Sequence, residues 1–559
     1  MAADTEIVEP VSGHGSLHEK DNNTNGSDDA DESDYPTGFR LLFVVVALIL
    51  AIFLTSLDFT IIATAIPRIT DDFHSLADVA WYGSAFFLVT ASFQTAWGKA
   101  YGFFSLKITF LLALFLFEIG SLICGVAPSS VALIVGRAIA GLGAAGLNTG
   151  SFTLVAFCAP PKKRPIFTGL IGLSYGIASV VGPLLGGVFT DSITWRWCFY
   201  INLPVGAVSA LFIVFFFQSP AASKKTDHHT WRSKLLQMDP IGTGLVLACV
   251  TCYILAMQYG GQTHPWNSSV VIGLIVGFVL ILATLVGWEL HMGEKAMSPP
   301  RLVKRHAVPS AVGGFFFGSY IVIIYYLPTY FQSIDGVSAI GSGVHNLPFI
   351  LAVSIFTVLS GVLISVTGYP APFVVGGAAI ATVGCGLIYT LDIGTGAGKW
   401  IGYQILAGFG NGLGVQVPMI MAQANTDAGD MAATTAILMC KFSKSSAPQF
   451  PLIYSPTGFQ TIGGAFMQAG AQAAFANRLL DELPNTAPDV APGAVVAAGA
   501  TELKSFGSSL AGVRIAYMRG LKVAFAFACA SMGVAFILAL FSRRKKITGE
   551  AAKNAMAAA

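Results

Sequence analysis

Charge is what this 559-residue chain has least of: Asp, Glu, Lys and Arg make up 11% of it, against roughly 25% in an average soluble domain. A soluble protein of this length is therefore excluded. The net charge of +2 says nothing about partners by itself, and no nucleic-acid partner is expected. Cysteine is sparse too. The eight cysteines lie singly except Cys249 and Cys252, whose C-x-x-C spacing is a redox or zinc signal in soluble proteins but falls here inside an apolar stretch, where packing is the better reading. No H-E-x-x-H or P-loop pattern occurs, so an enzyme active site, a metal site and a bound cofactor all lack support. Residues 1–39 hold no apolar core of the kind a signal peptide needs, and their Asp, Glu, Ser, Asn and Gly content predicts a disordered cytosolic tail.

What fills the chain instead is hydrocarbon. Fourteen apolar stretches, the first near 40–66 and the last near 517–541, are each about as long as a bilayer is thick. A backbone in lipid must satisfy its own hydrogen bonds, so each reads as a helix. The fold class is all-α: a polytopic membrane protein of fourteen transmembrane helices, whose 61 glycines allow close helix approach. Basic residues set the orientation. Lys162, Lys163, Arg164, Lys224, Lys225, Arg232, Lys234, Arg301, Lys304, Arg305 and the tail from Arg543 fall in alternate connections, which places them and both termini in the cytosol. Residues 477–516 are then an outer loop and 220–238 an inner one.

Residues 136–143, GRAIAGLG, match residues 403–410, YQILAGFG, at an offset of 267. That weak repeat divides the chain into two six-helix halves, 40–219 and 307–542, with a cytosolic linker and an inserted helix pair at 220–306 and a basic tail at 543–559. Transporters that rock two halves around a central site are built this way.

Sharper motifs lie in the first half. Residues 57–67, LDFTIIATAIP, resemble the L-D-x-T-I-V-x-x-A-L-P signature of fourteen-helix drug:proton antiporters of the major facilitator superfamily. Residues 133–145 are similar to its R-x-x-Q-G-x-G motif, with Ala140 in place of the usual Gln. Gly182, Pro183, Gly186 and Gly187 supply the G-P-x-x-G-G of the antiporter motif, and residues 195–206, WRWCFYINLPVG, resemble a run typical of the fungal branch. One motif departs: where the family's inner loop reads G-x-x-x-D-R-x-G-R-R, this chain keeps Gly98, Lys99 and Lys107 but has Gly102 at the Asp position. A latch that uses that Asp must be built differently here.

The resemblance implies a proton-coupled efflux antiporter, working by alternating access as a monomer in the lipid bilayer. Its partners would be protons and a hydrophobic or amphipathic small molecule such as a toxin, secondary metabolite or antifungal drug. It implies the plasma membrane, with the vacuolar membrane as the alternative. The competing readings are a vacuolar basic amino acid transporter and a membrane sensor that transports nothing. Chemistry belongs where ionisable groups lie in hydrocarbon, because a charge there is costly unless paired or neutralised. Asp58 precedes Pro67 by nine residues, roughly 13 Å at the rise of an α-helix. Arg137 lies at a similar depth, roughly 10 Å into its own span, so the two can share one electrostatic environment and handle a proton. Against this stand structural readings: Asp58 satisfied by Thr55 or Thr60, and Arg137 donating to carbonyls. Glu118, in the third span, is open between function and structure. The Gly182–Pro183 segment reads as a gating helix. Gln94, Asn148, Tyr325, Gln404, Asn411 and Gln416 are candidates for a substrate path, although interhelical bonding explains each one alone. Asn267 heads a glycosylation sequon close to a span.

The thirteenth span, 431–475, is too long and is broken at 440–458 by Lys441, Lys444, Pro448, Pro451 and Pro456. Prolines break a helix, and a lysine at mid-membrane costs roughly 2.5–3.5 kcal/mol. Codons for Cys440-Lys441-Phe442 can contain a GTAAGT splice donor, and those for Pro456-Thr457-Gly458 a CAG acceptor. Residues 440–458 are therefore read as a retained intron, with a genuine inserted loop as the alternative.

Overall fold

The computed structural model describes residues 38–73, 79–159, 163–218, 238–293, 300–424, 456–498 and 503–542. Within them the all-α expectation holds. The first half comprises α1 (Phe39–Phe73), α2 (Val79–Phe103), α3 (Leu106–Val126), α4 (Ser130–Cys158), α5 (Arg164–Ser192), the single turn α6 (Trp197–Tyr200) and α7 (Asn202–Phe216). An added pair follows, α8 (Pro240–Tyr259) and α9 (Ser269–Met292). The second half is α10 (Pro300–Ser333), α11 (Ala339–His345), α12 (Leu347–Thr367), α13 (Ala371–Tyr389), α14 (Ala397–Gly414), α15 (Val417–Ala424), α16 (Pro456–Thr486), α17 (Pro492–Ala498) and α18 (Leu510–Leu540). Among the described residues, eleven helical stretches are long and apolar enough to cross a membrane. The long helices α2, α14 and α16 are not among those eleven. Each carries more Gly, Gln and Asn than its neighbours, and such residues suit contact with other helices more than with lipid.

Each half packs in the same pattern. In the first, α3 lies on α4, α1 on α5, α2 on α4 and α1 on α7; in the second, α13 lies on α14, α10 on α16, α12 on α14 and α10 on α18. The correspondence extends to single residues. A Cβ on Gly120 would fall on Ala140, and one on Gly384 would fall on Ala407; Gly143 is equally tight against Phe117, and Gly410 against Ala381. Ala140 and Gly143 stand 267 residues before Ala407 and Gly410. The faint repeat in the sequence is therefore a packing repeat, in which small residues let α3 and α4, or α13 and α14, pack backbone to backbone.

The halves meet mainly along α5 and α12. Cβ atoms on Gly169 and Gly172 would touch Thr357, and one on Gly361 would press on the Pro165 carbonyl. The added helix α8 reaches both halves: Gln258 Nε2 donates to Ser84 Oγ on α2 at 2.7 Å, and Tyr253 donates to the Phe466 carbonyl on α16 at 3.2 Å. Its partner α9 lies outermost, with 6% of its apolar window buried.

Several boundaries differ from the sequence reading. Helix α2 continues through Gly98 and Lys99 to Phe103, and α3 resumes at Leu106. The expected inner loop is thus two residues, Phe104 and Ser105, because the Ala100 carbonyl and the Ser105 carbonyl already accept helical bonds from Phe104 and Thr109. Helix α16 runs to Thr486 and α18 begins at Leu510, so much of 477–516 is helical. Residues 425–455 lie outside the described residues, and with them the reading of 440–458 as far as 455; so do residues 1–37 and 543–559.

Candidate functional site

Ser129 caps α4, its hydroxyl accepting from the Ala132 amide at 3.4 Å, and this starts the helix so that Arg137 falls at the start of its third turn, aimed at α1. There its Nη1 pairs directly with Asp58 Oδ2. Arg137 Nε donates to the Tyr82 carbonyl of α2 at 2.9 Å, and the guanidinium carbon stands 4.4 Å from the Phe86 ring centre and 5.9 Å from that of Phe199. Asn202, the first residue of α7, donates through Nδ2 to Asp58 Oδ1 at 3.2 Å and to Ser121 Oγ of α3 at 3.1 Å. Asp58, Arg137, Asn202 and Ser121 all have 0% exposure. Five helices, α1, α2, α3, α4 and α7, thus converge on one dry ion pair, beside a cluster that includes Ile61, Ile62, Leu133, Cys198 and Phe199.

The competing satisfiers of Asp58 are engaged elsewhere. Thr55 donates to the Ile52 carbonyl and to Asn148 Oδ1, both at 3.1 Å, and Thr60 donates to backbone carbonyls of Ser56, Leu57 and Ala178. In a dry site a charged pair persists only with good geometry and extra donors, and removing one partner of such a pair costs about 3–5 kcal/mol. Arg137 thus donates to a carbonyl, as the structural reading expects, and pairs with Asp58 in the same geometry.

The antiporter motif sits directly behind. Thr60 donates to the Ala178 carbonyl of α5 at 3.1 Å, and a Cβ on Gly182 or Gly186 would overlap the hydroxyl of Thr60 or Thr64. Gly187 is buried beside them and Pro183 lies inside α5, where it removes a backbone donor. The polar candidates for a substrate path are not gathered into one place. Gln404 donates to the His345 carbonyl at 3.0 Å, Asn411 to the Ala407 carbonyl of its own helix at 2.9 Å, and both are fully buried. Gln94 is buried, and its carbonyl accepts from Thr149 at 3.3 Å. Asn148 is held by Thr55. Only Gln416 reaches the contact between halves, where its side chain would lie 3.5 Å from a Cβ on Gly172. Tyr325 is half-exposed with its ring 5.3 Å from that of Tyr326. Toward the expected cytosolic end, Lys99 is buried and Lys107 Nζ donates to the Val214 carbonyl at 2.5 Å. Asn267 is exposed in the turn just before Ser268, the cap of α9.

The family model of the Major Facilitator Superfamily matches residues 48–447. The chain belongs to that superfamily. Its members carry small molecules across membranes, and membrane transport is the work of this chain. It is 51% identical over 555 residues to the MFS-type transporter grgE of a Penicillium species, covering 98% of this chain and 95% of that one. It is 44% identical to the probable efflux pump gsfJ of Penicillium aethiopicum, over 93% and 91% of the two chains, and 41% identical to the MFS-type efflux pump MFS1 of Trichophyton rubrum, over 95% and 96%. Among solved structures, a bacterial homologue of the human lysosomal transporter Spinster, inward-facing and unoccupied, shares the fold at a TM-score of 0.54 and 14% identity, over 94% and 99% of the chains.

Sequence reasoning placed Asp58 and Arg137 but passed over Asn202 and Ser121. Asn202 lies inside the 195–206 run, which served only as a mark of family, although an Asn in an apolar span is by itself a signal that some polar group is being bonded.

Proposed function

We propose that the protein is a proton-coupled exporter of a hydrophobic or amphipathic small molecule, with Asp58 and Arg137 as its coupling pair. The observation that carries this reading is the dry Asp58–Arg137 contact bridging α1 and α4. Such a pair is stable only while the two helices hold together. Movement of one past the other during alternating access leaves the carboxylate without its counter-charge, and a proton is the smallest replacement. The contact between halves favours an apolar cargo: Tyr175 of α5 lies 6.4 Å, ring to ring, from Phe317 of α10, and Phe317 lies 5.9 Å from Tyr320. The relatives named as efflux pumps support the export direction.

In this reading α2, α14 and α16 join the eleven apolar stretches to make fourteen spans. The halves are residues 40–219 and 307–542, both termini face the cytosol, and a monomer works in the plasma membrane. Gly182, Pro183, Gly186 and Gly187 let α5 slide on α1 as the gate, while Gly98, Lys99 and Lys107 brace the cytosolic end. The test uses the full chain in proteoliposomes with a lipophilic fluorescent dye as probe. An imposed pH gradient should drive dye movement by the native protein and not by Asp58→Asn, with both variants equally well folded. Undiminished gradient-driven movement by Asp58→Asn would remove Asp58 from the mechanism. Gradient-driven uptake of lysine or arginine in place of dye would favour the basic amino acid reading.

A further inference from the structure

A second acid, Glu118, lies one turn before Ser121 on α3. Both its carboxylate oxygens are shut from solvent and meet no hydrogen-bond partner among the described residues. Gly206, one turn beyond Asn202 on α7, makes its seat, since a Cβ built there would overlap Glu118 Oε1. Asn202 and Gly206 therefore face the same turn of α3 as Ser121 and Glu118; hydrogen bonds run from Ser121 through Asn202 to Asp58 and Arg137, and Glu118 lies one turn before Ser121, against Gly206.

The cluster holds two carboxyl groups and one guanidinium, and the guanidinium is already paired with Asp58. Among the described residues no other cation stands near Glu118. Helix α4 brings only Arg137 to this level, and α7 brings no titratable side chain. From α6 come the Cys198 thiol and Tyr200, whose hydroxyl donates to the Gly125 carbonyl at 2.9 Å. From α2 comes Tyr82, whose hydroxyl donates to Ser130 at 3.0 Å; Lys99 and Tyr101 are roughly five turns farther along that helix. On α3 itself Lys107 is about three turns away, bonded to the Val214 carbonyl. An ionised carboxylate without a donor is the costliest state a buried acid can take, whereas the protonated acid is neutral.

We propose that Glu118 is the group that carries the exchangeable proton in this conformation, and that Asp58 holds Arg137 while it does so. This rests on the proton-coupled reading above. With Glu118 protonated, the cluster of Asp58, Arg137 and Glu118 is electrically neutral. Release breaks the O–H bond of Glu118, passes the proton to water on the open side and leaves a second carboxylate. Arg137 Nη2, which has no acceptor among the described residues, is the donor to which that carboxylate turns. One guanidinium then serves two acids until a proton returns from the other side.

Two measurements on the full chain in proteoliposomes test this. Infrared difference spectra taken during a pH titration, in light and in heavy water, should show a protonated-carboxyl C=O band in the native protein and in Asp58→Asn, and no such band in Glu118→Gln. Gradient-driven dye movement should fall to the level of protein-free vesicles in Glu118→Gln, while downhill dye exchange persists, and Glu118→Asp should restore part of the driven rate. If Glu118→Gln fails to fold, Gly206→Ala displaces the carboxylate without removing it and should shift the midpoint of the band; an unmoved midpoint overturns the proposal. A native protein that moves no protons sinks the coupling reading itself. A native protein that couples, together with a Glu118→Gln variant that couples equally well and keeps the band, sinks only the role of Glu118.

Discussion

The two halves solve one packing problem with different chemistry. In the first, Arg137 Nε donates to the Tyr82 carbonyl; in the second, Gln404, 267 residues later, donates through Nε2 to the His345 carbonyl at 3.0 Å. The backbone bond is the same, and a neutral amide replaces the guanidinium. The surroundings change to match. Beside Gly120 stands Ser121, bonded to Asn202 and through it to Asp58, whereas beside Gly384 stands Cys385, whose Sγ lies 3.8 Å from the Ser319 hydroxyl. Ser319 is itself satisfied by the Ala528 carbonyl at 2.8 Å. At these matched positions one half therefore carries a buried ion pair and the other neutral polar groups, and the buried acid of the second half, Glu482, lies elsewhere, paired with Arg478 and Arg519.

The strongest way to break this comparison is to give the first half the second half's solution. Arg137→Gln keeps a donor for the Tyr82 carbonyl but leaves Asp58 buried without its counter-charge, and should destabilise the protein by about 3–5 kcal/mol. Gln404→Ala loses one neutral hydrogen bond and should cost about 0.5–1.5 kcal/mol. Thermal unfolding of the purified protein in detergent reads both. Adding Asp58→Asn to Arg137→Gln should recover most of the stability and none of the gradient-driven transport; a double variant that still couples would place proton handling elsewhere. Arg137→Lys should unfold at nearly the native temperature yet transport poorly, because Lys keeps the charge but not the planar fork that reaches Asp58 and the Tyr82 carbonyl together.

A smaller effect sharpens the common frame. Gly143 against Phe117 and Gly410 against Ala381 are both places where a Cβ has no room, so Gly143→Leu and Gly410→Leu should each cost about 1–3 kcal/mol and should cost nearly the same. Marked sensitivity in one half alone would mean that the repeat in sequence is not a repeat in packing.

How far the sequence reached follows from the same contrast. Hydrophobic length revealed the all-helical build and residues 136–143 against 403–410 a repeat in packing, because burial in lipid leaves a long, coarse signal. Asp58 and Arg137 were legible for the opposite reason, as charges where charge is costly. Asn202 and Ser121 were not, since an amide or a hydroxyl in an apolar helix has no fixed partner until the helices are placed. Gln404 and Asn411, read as candidates for a substrate path or as interhelical donors, are a buried interhelical and a buried intrahelical donor, two arrangements that the sequence alone could not separate. The short connection at Phe104 and Ser105 was hidden because Gly98, Lys99 and Gly102 look like loop residues although they lie in the last turns of α2.

The least effect is expected at the rim, where the halves again differ in detail. Asp72 of the first half accepts from Trp195 Nε1 at 2.7 Å and lies 3.9 Å from Arg196, while Asp392 of the second pairs with Lys522 at 2.6 Å. The hydrogen bond from Lys522 and the Ile393 amide hold the Asp392 carboxyl below the usual carboxylate range. A group with a lowered folded pKa stabilises at pH values above the unfolded one and loses that contribution as pH falls through the folded one. Asp392 is 58% exposed, so solvent screens the pair and it is worth at most about 1 kcal/mol. Asp392→Asn should accordingly lower the unfolding temperature slightly at neutral pH, and the gap between variant and native protein should close on acidification, once the native Asp392 is also neutral. A gap that widened in acid would mean that Asp392 is stabilised by its protonated form, and that the rim of the second half carries a proton site of its own.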